Sequence, residues 1–155
     1  GGIAGSGSPV PLTAYVLISL LEAGESSASR AISEASFCLH ADTTDNPYTL
    51  VLKAYALALS HDAKAESVIK QLIELAVQTT NSMYWELPAG SGTSDAVAVE
   101  TAGYAVLAMM TIDAKRYEDY AFKIVKWLSS QRNAQGGFIS TQVRHSILTF
   151  FEIYQ

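Results

Sequence analysis

The chain has 155 residues, of which 49% are hydrophobic and 16% charged, and its net charge is −5. That length suits a single domain with a real core, and so apolar a composition excludes a disordered chain. The acidic balance excludes nucleic acid as a partner, because no basic stripe exists to neutralise phosphates; Lys123, Lys126 and Arg132 read as part of a solvated face.

The opening GGIAGSGSPVP, residues 1–11, has no helical period and is rich in Gly, Ser and Pro, so it reads as a loop entering a domain that runs over 12–155. A start of this kind is expected of a fragment cut from something larger. No basic segment followed by an apolar run opens the chain, so no signal peptide is expected. The longest uncharged apolar run, PLTAYVLISLL, is about half of what a bilayer requires. A soluble chain with no membrane insertion is expected.

From Leu12 the helical segments come in two alternating kinds. LTAYVLISLLEAG carries no charge before Glu22 and ends on Gly24, suited to a left-handed cap. ASRAISEASFCLH follows as a striped helix, with Ala28, Ala31, Ile32, Ala35 and Leu39 on one side. NPYTLVLKAYALALSHD is apolar again, opened by Asn46 as cap and Pro47 as first helical residue, with Lys53 its one interior charge. AKAESVIKQLIELAVQTT returns to a stripe through Ala65, Val68, Ile69, Leu72 and Ala76, with Glu66, Lys70 and Glu74 spaced by four elsewhere. After a polar interruption, TSDAVAVETAGYAVLAMMTID is apolar with Glu100 alone near its middle, and RYEDYAFKIVKWLSSQ is striped through Tyr117, Tyr120, Ala121, Ile124 and Leu128. HSILTFFEIY closes the chain as an apolar segment.

A helix apolar all round must be covered on every side, whereas a striped one covers something and faces water. Their alternation predicts an inner layer wrapped by an outer one. LTAYVLISL, LKAYALAL and TAGYAVLAMM each place a small residue before tyrosine, and Tyr15, Tyr55 and Tyr104 lie 40 and 49 residues apart. That is the period of a two-helix repeat. The expected class is all-α, an α/α solenoid or toroid.

Motifs that could carry chemistry read as structure. His40, His61 and His145 each lack a second ligand at helical spacing, so no metal site is expected; His40 and His61 suit helix C-termini. DTTDN (Asp42 to Asn46) has two carboxylates three apart, but it precedes a helix, where Asp and Asn are ordinary turn and capping residues. PAGSGTSD lacks the Lys-Ser/Thr of a phosphate loop and the preceding strand of a dinucleotide fold, so it reads as a loop with Ser94 or Asp95 as cap. No serine sits in a nucleophile elbow. Cys38 has no second thiol to pair with in this chain and reads as a small buried hydrophobe. Neither catalysis nor a cofactor is expected.

The segment QRNAQGGFISTQ joins an outer helix to an inner one. Gly136 and Gly137 permit positive φ or close packing there, and Phe138 can plug the layer boundary. Segments of Gln, a few residues, Gly-Gly and an aromatic recur in α/α toroids, among them terpene cyclases, prenyltransferase β subunits and the thioester domain of the α2-macroglobulin and complement superfamily. The rest of the chain resembles the third. VKWLSSQRNAQGGFISTQ, with Trp127, Gln131, Gln135, Gly136, Gly137 and Phe138, is similar to that family's Lys-Trp-Leu to Ser-Thr-Gln segment. LTAYVLISLLEAG, ASFCLH, the NSMYWELP block with Trp85 and Glu86, and AVAVETAGYAVLAM are similar to further family segments, in order, over roughly residues 1 to 142.

The resemblance implies an α/α toroid, here a partial one, because the family's reactive Gly-Cys-Gly-Glu-Gln is absent from this sequence. It implies a non-catalytic, C-terminal part of a thioester domain from a secreted protein whose intact form traps proteases or tags targets through a bond outside this chain. FCLH, NSMYWELP and NAQGGF favour the macroglobulin branch. Implied partners are the remaining domains of the parent and, through it, proteases or target surfaces, with self-association through exposed apolar faces when the neighbours are missing. In the macroglobulin branch the cysteine matched by Cys38 can pair elsewhere in the parent. After Gln142 the chain departs from the family pattern. An α/α-toroid prenyl- or terpene-processing enzyme, or a helical-repeat binding scaffold, are the alternatives; the first would require an Asp-rich or zinc-ligating set, which is not visible.

Overall fold

Pro9 and Pro11 flank the start of the first helix, α1 (Val10–Glu22). Their φ is already helical, and the N–H groups they lack would be left unpaired by the first turn anyway. The helix therefore begins slightly before Leu12, at residues the sequence places in the entry loop. The structure, a computed structural model, describes residues 8–88 and 95–131 together with Leu148 and Glu152.

Gly24 ends α1 at φ +91°. Its N–H donates to the Leu21 carbonyl (3.1 Å) and that of Glu25 to Leu20 (3.0 Å), which satisfies carbonyls the last turn leaves open. Helix α2 (Arg30–Ala41) is capped by Ser29, whose Oγ accepts from the Ile32 N–H. Asn46 Oδ1 accepts from the N–H groups of Tyr48 and Thr49 and opens α3 (Pro47–Leu59). Helix α3 ends as α1 does, with Asp62 N–H donating to Leu57 (2.9 Å), but His61 takes the left-handed position at φ 57°. His61 thus serves the turn itself, a conformation histidine tolerates better than most side chains.

Helix α4 (Ala65–Leu75) stops short of Thr80. Val77–Gln78 (β1) pairs antiparallel with Met83–Tyr84 (β2), and the β-branched residues Val77, Thr79 and Thr80 favour that extended course. Thr79 closes the hairpin: its N–H donates to the Ser82 carbonyl, and its Oγ1 accepts from the N–H groups of Asn81 and Ser82. Helices α5 (Asp95–Asp113) and α6 (Glu118–Ser130) follow.

Helix α3 packs between α1 and α5; α2 lies on α1, α4 on α3 and α5, and α6 on α5 and β2. The inner layer is therefore α1, α3 and α5, and the outer layer α2, α4 and α6. The fold is all-α apart from the small hairpin. Every residue from Pro47 to Ala58 of α3 is buried. By length and composition Ala96–Asp113 could cross a bilayer, but 56% of that stretch is buried inside the fold; its hydropathy is that of a core helix.

The stripe of α2 is narrower than the sequence suggests, whereas those of α4 and α6 are buried nearly as expected. In α2 only Ile32 and Leu39 are buried, while Ala28 and Ala31 are exposed. Cys38 is exposed and free rather than buried: one position before Leu39, it is rotated about 100° off the buried ridge. Its neighbour Phe37 is 74% exposed.

Candidate functional site

Two constellations gather the residues singled out by the sequence. The first joins the hairpin to the outer layer. Successive residues Met83, Tyr84 and Trp85 alternate between buried, half-buried and buried, the two-residue period of extended backbone. Trp85 is 1% exposed, and its Nε1–H donates to the Leu72 carbonyl at 2.8 Å. Leu72 lies in the last turn of α4, so the indole satisfies one of that helix's open carbonyls. Tyr84 stacks on Trp127 of α6, with centroids 5.2 Å apart and planes 11° from parallel. The two tryptophans of the motif are thus brought to one hairpin, Trp85 directly and Trp127 through Tyr84. Gln131 ends α6, its N–H shared between the Trp127 and Leu128 carbonyls. Glu86 is exposed. Gln135, Gly136, Gly137 and Phe138 lie outside the described residues, as do Ser94 and the loop before it.

The second constellation lines the inner helices. Tyr55 and Tyr104 meet with ring centroids 5.9 Å apart, and the Tyr55 hydroxyl donates to Glu22 Oε1 at 2.8 Å. Glu100 is half-buried in α5, and burial raises its carboxyl above the ordinary range. Burial, then the charge of Glu100, pushes Tyr48 up to about 12 and raises Tyr104 further. Tyr48 and Tyr104 therefore share one neighbourhood with Glu100, whose charge disfavours ionisation of either hydroxyl.

Lys53, the lone charge of α3, is 7% exposed. Its Nζ donates to the Asp42 carbonyl at 2.8 Å and lies 3.7 Å from the Asp42 carboxylate. Burial lowers the Lys53 pKa, and Asp42 opposes that shift. Asp42 also accepts from the Thr44 N–H, so one carboxylate of DTTDN belongs to a helix-end clasp, while Asp45 is exposed. His40 and Asp62 close a second link, 2.6 Å, between the end of α2 and the α3–α4 corner. On α4, Glu66 pairs across to Arg116 at 2.6 Å rather than along its own helix.

Sequence reasoning passed over Tyr48, Tyr84 and the roles of Lys53 and Glu100. The usable signal was a single charge inside an otherwise apolar helix: such a charge is rarely buried without a partner. Among the described residues these groups cap, stack and pair. No three His, Cys, Asp or Glu side chains among the described residues gather where a metal ion could sit.

This is the packing machinery of a family fold. A family model described as the A-macroglobulin TED domain, the thioester-containing domain, matches residues 1–146. The chain belongs to that family. It is 37% identical over 145 residues to ovostatin of Gallus gallus, and 31% identical over 154 residues to alpha-2-macroglobulin-like protein 1 of Mus musculus. These alignments cover 84% and 91% of the chain but 10% of each relative. The chain therefore spans about a tenth of the length of these macroglobulin-type relatives.

Proposed function

We propose that this chain is the C-terminal part of a thioester domain, an arc of an α/α toroid, and that it supports a reactive centre without containing one. The observation that carries this reading is the contrast between its motifs and its cysteine. The family segments contribute caps and stacks such as Trp85 on Leu72 and Tyr84 on Trp127. Cys38 instead stands exposed on an outer helix, in Phe-Cys-Leu-His, with no Gly-Cys-Gly-Glu-Gln anywhere in the sequence. The chain itself is non-catalytic in this reading.

The longer parent is a secreted protein of the macroglobulin branch that captures proteases or tags target surfaces by acylation. The chain's partners are the other domains of that parent and, through it, the captured protease. When it stands alone, the apolar side chains exposed on α1 drive self-association; a monodisperse monomer in sedimentation would overturn that expectation.

The decisive experiment is on the parent: intact mass and thiol titration before and after methylamine. One adduct together with one newly released thiol is expected. No adduct and no new thiol would leave the parent without the bond and the chain with surface binding alone.

A further inference from the structure

Helix α2 is held differently from the other outer helices. It lies on α1 and buries only Ile32 and Leu39, whereas α4 and α6 bury four side chains each. Its C-terminal end is tied to the rest of the fold by polar links: Asp42 to Lys53 of α3, and His40 to Asp62 at the α3–α4 corner. The second link is built for charge. His40 Nε2 stands 2.6 Å from Asp62 Oδ2, while Asp62 Oδ1 accepts from the Lys64 N–H at 2.9 Å, so the turn holds the carboxylate in place. A carboxylate only accepts, so Nε2 carries a hydrogen whatever the charge of the ring, and protonation adds the positive charge at Nδ1. His40 also lies in the last turn of α2, where the helix dipole favours a cation. Around this corner stand Lys64 and His61, both exposed, and the Asp42–Lys53 pair. Lys64 opposes a charged imidazole through solvent, and Lys53 is already held by Asp42.

We propose that His40 and Asp62 form a proton-operated latch on α2: the protonated pair locks the end of the helix to the α3–α4 corner, and deprotonation loosens it. Histidine side chains change charge over roughly pH 5 to 8. Closed α2 keeps the imidazolium beside a fixed carboxylate and the open state does not. The extra hold therefore exists at the acid end of that range and is lost as pH rises through it. Phe37 and Cys38 stand exposed on the same stretch of α2, so the latch sets how rigidly they are presented. The side chains of His40 and Asp62 are 32% and 20% exposed, and solvent screening limits the gain to about threefold in the closed-to-open ratio. The latch stands whether or not the parent carries a thioester.

The test is hydrogen exchange of the full-length parent, read by mass spectrometry and corrected for intrinsic rates, at about pH 6 and about pH 8. Peptides from the C-terminal half of α2 are expected to be about threefold better protected at the lower pH, with α4 unchanged. His40→Gln and Asp62→Asn, which keep a neutral hydrogen bond but not the ion pair, should each remove the difference. His61→Asn, which suits the left-handed turn, should leave it. Equal protection of wild-type α2 at both pH values, a looser α2 at the acid value, or a difference shared by α4 would each overturn the proposal. So would a difference that survives His40→Gln or disappears with His61→Asn.

Discussion

Helices α1 and α2 and the four helices after them are built from the same kinds of residue, yet they bury them differently. From α3 to α6, the one large hydrophobe that is exposed is Leu75; α1 and α2 expose Leu12, Tyr15, Val16 and Phe37. Helix α3 repeats the Leu-x-Ala-Tyr-x-Leu pattern of α1 and buries all of it. The difference teaches that an apolar helix states a demand for neighbours, and the neighbours then decide how much of that demand is met. One substitution between the two helices points the same way. Position 53 holds a lysine where α1 has Thr13, and only α3, roofed by the end of α2, can give that charge a partner at Asp42.

The comparison can be broken most directly at equivalent leucines. Leu52→Ala, at a site with no exposure, is expected to cost about 4 kcal/mol, whereas Leu12→Ala costs about 0.5 kcal/mol or less; urea unfolding of both variants reads the contrast. Equal losses would mean that α1 is covered after all. Lys53→Ala comes next, at about 3 kcal/mol, because it leaves the Asp42 carboxylate largely buried beside a helix end it no longer holds. Hydrogen exchange should show α2 loosening before α3 does, and uniform loosening would assign Lys53 to the core rather than to the clasp.

Trp85→Phe removes the donor to Leu72 and shrinks the buried ring, and is expected to cost about 2 kcal/mol with earlier exchange in the last turn of α4. An unchanged melting temperature would reduce the hairpin to a passive connection. The smallest effect is at Glu100. Burial raises its folded-state pKa above the unfolded value, so the native state holds the proton more tightly. Stability then falls as pH rises from the ordinary carboxylate range through the raised value. Glu100→Gln should flatten that segment of the pH–stability profile and leave the protein slightly more stable at neutral pH; a profile that keeps its slope would place the titration elsewhere.

Much of this was legible in the sequence because it depends on local rules. Asn46-Pro47 and Gly24 cap as their chemistry dictates, and the alternation of apolar and striped helices announces two layers. The short hairpin was not legible. Val77 to Tyr84 carries helix-compatible residues as well as β-branched ones, and its course depends on Trp85 docking against α4 and Tyr84 against α6, contacts that no local window contains. Cys38 was misread for a related reason: an apolar residue on a striped helix is inside or outside according to a rotation of about 100°, and the width of the buried ridge depends on what it lies against. Of the candidate site, the two tryptophans were picked out in separate family-like segments, but not the tyrosine that brings them to one hairpin.

The sequence by itself determined the all-α class, the helix kinds, their order and the caps at Gly24 and Asn46, since periodicity and end chemistry are set within a few residues of each position. The tertiary structure alone decided that Lys53 is buried, that Glu100 sits among tyrosines, and that one face of α1 stays bare. Desolvation and partner choice are properties of what lies across the gap, and a helix does not carry its neighbours in its own residues.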